Sequence, residues 1–392
     1  MADPLRILQL VQKPQRRGAE MFAAQLSATL RTTGEAVVRT VYLYPNGEPG
    51  ALRLVDGDVL IGGREAHPTE RLVGANPWVL RRLATAIDDF APDIVQANGS
   101  RTLKYGALAS VVRRRVSVVY RNIGDPSQWI VDRRRRFFYS KVVLPRLGGI
   151  VSVSETTLRG VRALYAKPIP TACIPRAIDV EAFRPTQSRA QVRVALGVDP
   201  SVPVVLYVGS LTHEKRPDRL ARTFAAIRAK VPETELWVVG SGPLAGDLAT
   251  QLAGSGNEGN GRLLGVREDI ANLMGAADLL LLTSDTEGTP GVVLEAGAAS
   301  LAVVATRVGG VGDCVADGRT GILVDREDEA GLARAAVALL RDPFARKQMG
   351  IEAQYLVADR FALATITQDY LRFYRTVLGG VEPTRAATGT RR

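Results

Sequence analysis

Two glutamates and a lysine are the residues of this chain whose types and spacing best suit chemistry. Glu287 and Glu295 stand eight positions apart in "SDTEGTPGVVLEAGAAS", Ser284 to Ser300, behind the apolar run Leu279–Leu282. The run reads as a buried strand, Thr289 as a helix cap and Pro290 as the first helical position. Glu287 then projects from the strand's exit loop, and Glu295 lies about one and a half turns into the helix. Ionised carboxylates accept hydrogen bonds and can grip vicinal diols. Helix N–H groups between them suit a phosphate. Sugar hydroxyls, diphosphate and ribose hydroxyls follow one another in that order in a nucleotide sugar. Taken alone, the pair also fits a loop charge and a solvated helix glutamate.

Two more strand ends repeat the layout. Val204–Val208 runs into "GSLTHEKRP", where Gly209 opens the loop and Lys215 sits at a helix entry. A lysine there can reach a diphosphate as a mobile point charge, although exposure alone is also a common fate for a lysine. Leu236–Val239 runs into Gly240-Ser241-Gly242-Pro243. Glycines let backbone approach a ligand, and proline tolerates a first helical turn. The stretch is not a G-x-G-x-x-G fingerprint, because its third glycine falls one place late, at Gly246.

These ends need a scaffold. The chain has 392 residues, too many for one ordinary core, so two domains are expected. Strand-like and helix-like segments alternate: 6–11, 37–43, 94–97, 116–120 and 150–153 in a first series, then 204–208, 236–239, 262–264, 279–282 and 302–305. That rhythm predicts an α/β fold of two doubly wound, Rossmann-like parallel sheets, with ligands beyond the carboxyl ends of the strands. The expected divisions are 1–185, 186–360, a helix over 361–380 that can cross back to the first domain, and a frayed tail over 381–392. The start "MADPLRILQLV" reads as a first strand rather than a signal peptide. No apolar run reaches a membrane span. Cys173 and Cys314 stand apart in sequence, which fits a reducing, cytoplasmic compartment.

The formal charge is +11, and only seven of the 51 basic residues are lysines. An arginine excess follows from a GC-rich genome as readily as from function. The clusters Arg113–Arg115 and Arg133–Arg136 are more pointed, since the second continues "FFYSKVVLPR". Basic residues beside aromatics suit an anionic membrane surface, here the inner face of the membrane. No helix-turn-helix, zinc finger or RNP pattern accompanies them, so nucleic acid is not an expected partner.

The order of the motifs resembles the retaining glycosyltransferases of family 4, which have the GT-B fold of two facing Rossmann-like domains. The resemblance rests on "LYVGSLTHEKRPDRL", "LWVVGSGPL", "RLLGVREDI", "AADLLLLTSDTEGTPGVVLEAGAA" and "VGGVGDCVADGRTGILVD" across residues 204–325, and more loosely on "RRGAE", "PDIVQANG", "IVSVSETTL" and "IPRAIDVEAFRP". It implies transfer of a hexosyl group from a nucleoside diphosphate sugar to an acceptor hydroxyl, with retention and without metal or other cofactor. Glu295 would hold the donor ribose, Glu287 the sugar near its reacting end, and Lys215 the diphosphate. Gly209, Gly240, Gly242, Val266, Gly288, Thr289, Pro290, Gly291 and Val292 would line the donor, and Gly18 would lie beside the donor phosphate or the acceptor. The acceptor is open among a membrane lipid, a polysaccharide and a small metabolite.

The family pattern is broken in three places. Its arginine after the first glycine of the "GSLTHEK" motif is Ser210. Its histidine at the end of the strand 116–120 is replaced by Arg121-Asn122-Ile123-Gly124-Asp125, which makes Arg121, Asn122 and Asp125 the acceptor-side candidates. Its linker asparagine-glycine pair is Arg176-Ala177. "VDGDV", 55–59, contains a D-x-D, but apolar flanks and an Asp-Gly pair predict a two-residue hairpin instead of a metal site. His67 and His213 share no ligand spacing. Two rival readings remain: another enzyme on the same fold, such as a sugar-nucleotide epimerase or a phosphorylase, and a non-enzymatic basic membrane- or nucleic-acid-binding protein.

Overall fold

Short runs that are apolar at every position become parallel strands covered on both faces. In the computed structural model, residues 3–15, 18–46, 52–62, 75–112, 116–124, 126, 130, 132–254 and 259–379 are described. Contacts divide the chain into two units, Met1–Arg176 with Leu363–Arg392, and Ala177–Ala362. His67, Arg113–Arg115, Asp125 and the tail 381–392 lie outside the described residues.

The first unit holds β1 (Leu5–Val11), β2 (Ala36–Tyr42), β3 (Val59–Leu60), β4 (Ile94–Asn98), β5 (Ser117–Asn122), β6 (Gly149–Ser152) and β7 (Thr171–Cys173). They pair in the order β3-β2-β1-β4-β5-β6-β7, parallel throughout. The order reverses between β1 and β4, and there the crevice beyond the strand ends opens. On one face Leu8, Leu10, Val95, Val118 and Ile150 join an apolar core. The other face is partly polar. Asn98 Nδ2 donates to Gln9 Oε1 at 2.9 Å, and Gln96 Nε2 to Asn98 Oδ1 at 3.2 Å.

The helix Leu363–Val377 covers that face, burying Tyr370, Phe373 and Tyr374. The Tyr374 hydroxyl donates to Gln96 Oε1. Gly149 leaves no room for a side chain, since a Cβ there would stand 2.7 Å from Val377 Cγ2.

The second unit holds β8 (Val204–Val208), β9 (Glu235–Val239), β10 (Gly261–Gly265), β11 (Leu279–Leu282), β12 (Val303–Thr306) and β13 (Gly321–Val324). Its order is β10-β9-β8-β11-β12-β13, again parallel, with the reversal between β8 and β11. Alternate side chains of β11 enter opposite cores: Leu280 and Leu282 one, Leu279 and Leu281 the other.

The predicted hairpin at "VDGDV" does not form. Residues 52–55 are not a strand, and β3 pairs parallel with β2, Val41 opposite Val59. Asp58 explains the difference. Its carboxylate accepts from the backbone N–H groups of Thr40 and Val55 and from Arg31 Nη2, each at 3.1 Å. That ties the turn to β2 and to the helix Gly18–Thr32, and commits Asp58 to the scaffold.

Candidate functional site

The ends of β8 and β11 meet beside the reversal of the second sheet, and their exit loops are stitched together. Asp285 N–H donates to Glu214 O at 2.8 Å, and Thr283 Oγ1 to Lys215 O at 3.1 Å. Lys215 closes a short 3-10 turn, His213–Lys215. The next residue, Arg216, takes a left-handed conformation with φ 54°. It is held there by paired bonds to Asp218, at 2.9 and 2.8 Å, and by Asp285 at 3.0 Å. The Arg216 bonds hold the Asp218 carboxyl well below the usual carboxylate range. Burial raises the Asp285 pKa, but bonds from Arg216 and Arg219 outweigh it and the net shift is downward.

This bracing delivers one close contact. Lys215 Nζ lies 2.6 Å from Glu287 Oε1, and Ser284 Oγ donates to the same oxygen at 2.6 Å. Glu287 is nearly buried, its side chain 7% exposed, whereas Lys215 is 24% exposed. The Tyr207 phenol lies behind them, its pKa pushed up by burial and then by Glu287. A carboxylate loaded by two donors is fixed in direction. An ammonium with residual exposure can exchange that carboxylate for an incoming anion.

Two backbone crossings set the loop heights. Gly309 has φ 49°, and a Cβ on it would fall 1.8 Å from Glu287 O. Only glycine permits that approach. Gly310 N–H then donates to Gly288 O at 3.0 Å. Gly240 has φ 129°, and a Cβ there would fall 1.9 Å from Gly209 O, so the exits of β8 and β9 cross backbone to backbone. Leu211 N–H, donating to Ser241 O at 3.0 Å, locks the crossing, and Gly242 packs on Leu211 O.

The helix after β11 is Gly291–Ala298. Pro290, expected at its first position, is instead the capping residue, extended at φ −71°, ψ 108°. Thr289, expected as the cap, lies one position before it. Glu295 is half-buried in the second turn, with Gly288, Gly291 and Val292 between it and Glu287. Val266, just beyond β10, is 75% exposed.

Gly18, Arg121 and Asn122 belong to the first unit. The sequence places Arg121 and Asn122 beyond a strand ending at 120, but β5 runs through Asn122. Asn122 is fully buried and satisfied inward: its Nδ2 donates to Thr157 O at 3.0 Å and to Ser152 Oγ at 3.3 Å, and its Oδ1 accepts from Tyr120. These bonds tie its side chain into the scaffold of the first unit. Arg121 is buried against Phe22, its guanidinium 3.9 Å from the ring centre. Ser284 and the Gly309-Gly310 pair lie within the quoted family stretches but are not singled out there; the double glycine two residues beyond β12 (Val303–Thr306) was the available signal. Among the described residues no cluster of His, Cys, Asp or Glu has metal-ligand geometry.

Residues 202–342 match the family described as "Glycosyl transferases group 1", and residues 16–182 match "Glycosyltransferase Family 4". The chain is 31% identical over 344 residues to the alpha-maltose-1-phosphate synthase of Mycolicibacterium smegmatis, covering 81% of this chain and 88% of that one. It is 35% identical over 214 residues to the D-inositol 3-phosphate glycosyltransferase of Corynebacterium diphtheriae, covering 52% and 50%. The chain spans about half the length of the first curated relatives it matches. Among solved structures, Anabaena Alr3699/HepE in complex with UDP superposes with a TM-score of 0.81 at 21% identity, covering 95% of this chain and all of that one. WaaG, described as a glycosyltransferase involved in lipopolysaccharide biosynthesis, gives 0.67 at 18%, with 95% and 100% covered. The two Rossmann-like units are those of the GT-B fold.

Proposed function

Because the chain belongs to glycosyltransferase family 4, we propose that it transfers a hexosyl group from a nucleoside diphosphate sugar to an acceptor hydroxyl, with retention and without a metal. The observation that carries this reading is the contact of Lys215 with Glu287 at the ends of β8 and β11, ahead of the helix Gly291–Ala298. A diphosphate set against that helix would take Lys215 as its counter-charge and the free helix N–H groups as donors. Glu287 would then bind the transferred sugar, and Glu295 the ribose. The leaving phosphate would accept the acceptor's proton while Lys215 stabilises its charge. The HepE complexes with UDP and UDP-glucose make a uridine diphosphate sugar the first donor to try. The D-inositol 3-phosphate glycosyltransferase, and a relative 29% identical over 249 residues named as a GDP-mannose-dependent alpha-(1-6)-phosphatidylinositol monomannoside mannosyltransferase of Mycolicibacterium smegmatis, support polar and lipid-linked acceptors alike.

The test is release of nucleoside diphosphate from a panel of donors, with and without candidate acceptors. Acceptor-stimulated release that survives EDTA supports the reading, and NMR of the product's anomeric proton reports retention. Release that stops on chelation and returns with Mg²⁺ or Mn²⁺ overturns metal independence. An epimerase would convert the donor with no acceptor present, and a binding protein would release nothing.

A location at an anionic membrane surface belongs to the same proposal. The helix Arg133–Phe138 has no buried residue, and Phe137 is 64% exposed. No helix among the described residues is long and apolar enough to cross a membrane.

A further inference from the structure

Arg121 is poorly accounted for by the scaffold alone. It sits on β5 opposite Asn98 and is 3% exposed. Its Nε and Nη1 are sealed from solvent without a hydrogen bond of good geometry; the Tyr370 hydroxyl lies beside the guanidinium, close enough to favour its charged form, but is not aligned with it. The Phe22 ring supplies cation–π attraction but no acceptor. Burying a guanidinium so incompletely satisfied is costly unless an anion completes its surroundings.

A second arginine converges on the same place. Arg176 is half-buried, and its Nη1 lies 3.9 Å from where a Cβ on Gly18 would stand. Among the described residues no carboxylate pairs with Arg121 or Arg176. Burial lowers the Arg121 pKa, the neighbouring Tyr370 hydroxyl works against it, and Arg176 is near enough to add to the lowering. Gly18 opens the fifteen-residue helix Gly18–Thr32, whose N-terminus adds a third positive element. The acidic residue of its first turn, Glu20, accepts from Gln15 Nε2 at 3.0 Å. Two arginines and a helix N-terminus thus gather at the carboxyl ends of β1 and β5, and neither arginine has an ion-pair partner among the described residues.

We propose that Arg121, Arg176 and the N-terminus of the Gly18–Thr32 helix form an anion site that takes a phosphomonoester carried by the acceptor. A dianion is preferred to a carboxylate, because two guanidinium groups and helix N–H donors supply more charge and more donors than a carboxylate can use. The assignment to the acceptor rests on the proposed transferase reading, with the first unit as the acceptor side. The phosphate itself can come from a soluble phosphomonoester or from a lipid headgroup. Both arginines stand where the family pattern is broken, so the site belongs to this chain rather than to the family's shared donor machinery.

The test is calorimetric titration of the full chain with inorganic phosphate and with glycerol 3-phosphate, at low salt and with UDP, GDP and ADP present to occupy donor subsites. Saturable binding that glycerol does not reproduce is expected. Arg176→Gln should weaken it about tenfold, the loss of one charge-assisted contact, and Arg176→Lys should restore part. Vesicles of phosphatidic acid and of phosphatidylglycerol form the second arm. Arg176-dependent preference for phosphatidic acid assigns a lipid phosphate; binding of glycerol 3-phosphate without that preference assigns a soluble one. Absence of saturable binding in both arms, or an Arg176→Gln chain of unchanged Tm that binds like wild type, overturns the site. Nucleoside diphosphate binding is titrated separately. If it persists while phosphate binding fails, only this site is lost; if it is absent while Arg176-dependent phosphate binding remains, the transferase reading falls instead.

Discussion

Lys215 and Glu287 are 72 positions apart in sequence and 2.6 Å apart in the fold. Replacing Lys215 by alanine removes the mobile charge proposed to meet the leaving diphosphate. Turnover, read as nucleoside diphosphate release, should fall about 10²–10³-fold, the loss typical of one preorganised donor. Wild-type turnover in a folded Lys215→Ala chain sinks that role. The two glutamates should divide differently. Glu295→Ala should mainly raise KM for the donor, because a contact to remote ribose holds ground and transition states alike, whereas Glu287→Ala should lower kcat. Equal kcat losses with unchanged donor affinity contradict the division. At this scale the sequence carried the charged residues, because strand ends and glycine turns advertise them. It did not carry the fates of Arg121 and Asn122. Polar residues look like the end of a strand, and their burial depends on Phe22, Ser152 and Thr157, distant partners that no local pattern reveals.

The elements hold the site through backbone crossings and a charge cluster. β8 and β11 were legible to the residue, since four or five consecutive apolar residues admit few other readings. The hairpin reading failed because Asp58 spends its carboxylate on Thr40, Val55 and Arg31 rather than on closing a two-residue turn. The crossing at Gly309 can be tested against its neighbour. Gly309→Ala drives a Cβ into Glu287 O at a left-handed φ, and should cost roughly 1–3 kcal/mol in urea unfolding while displacing Glu287. Gly312→Ala meets open space and should leave both stability and turnover near wild type. Equal behaviour of the two variants removes the crossing from the argument. The cluster of Asp218, Asp285 and Glu329 with Arg216, Arg219 and Arg222 gives a pH prediction. All three carboxyls have folded pKa values below their ordinary ones. The unfolded chain therefore binds more protons as the pH falls below about 4, and the stabilisation is lost on acidification. Urea midpoints should drop across that window, and Asp218→Asn should flatten the drop. A slope unchanged in the variant dissociates the cluster from acid stability.

The whole molecule carries a formal charge of +11, and the unit that contains β1–β7 displays part of it as an exposed stripe. Arg133, Arg134, Arg135 and Arg136 are all exposed on one short helix, Asp132 caps it through Arg135 N–H at 2.7 Å, and Lys141 and Arg146 continue the basic surface beyond. The aromatics divide. Phe137 faces solvent, while Phe138 and Tyr139 are half-buried and meet edge to face with ring centres 5.6 Å apart. One exposed ring among basic side chains suits shallow insertion at an anionic interface better than a buried helix face does. Basic residues close to such a surface contribute about 1 kcal/mol each at most, so four together hold the protein reversibly and only at low salt. In a vesicle co-sedimentation series, the bound fraction should rise with anionic lipid and fall as salt is added. It should fall again when Arg133–Arg136 are replaced by serine, with Phe137→Ser giving a smaller, salt-insensitive loss. If the wild-type chain ignores anionic vesicles even at low salt, the stripe is a solvated surface and a soluble acceptor becomes the better reading of the proposed transferase.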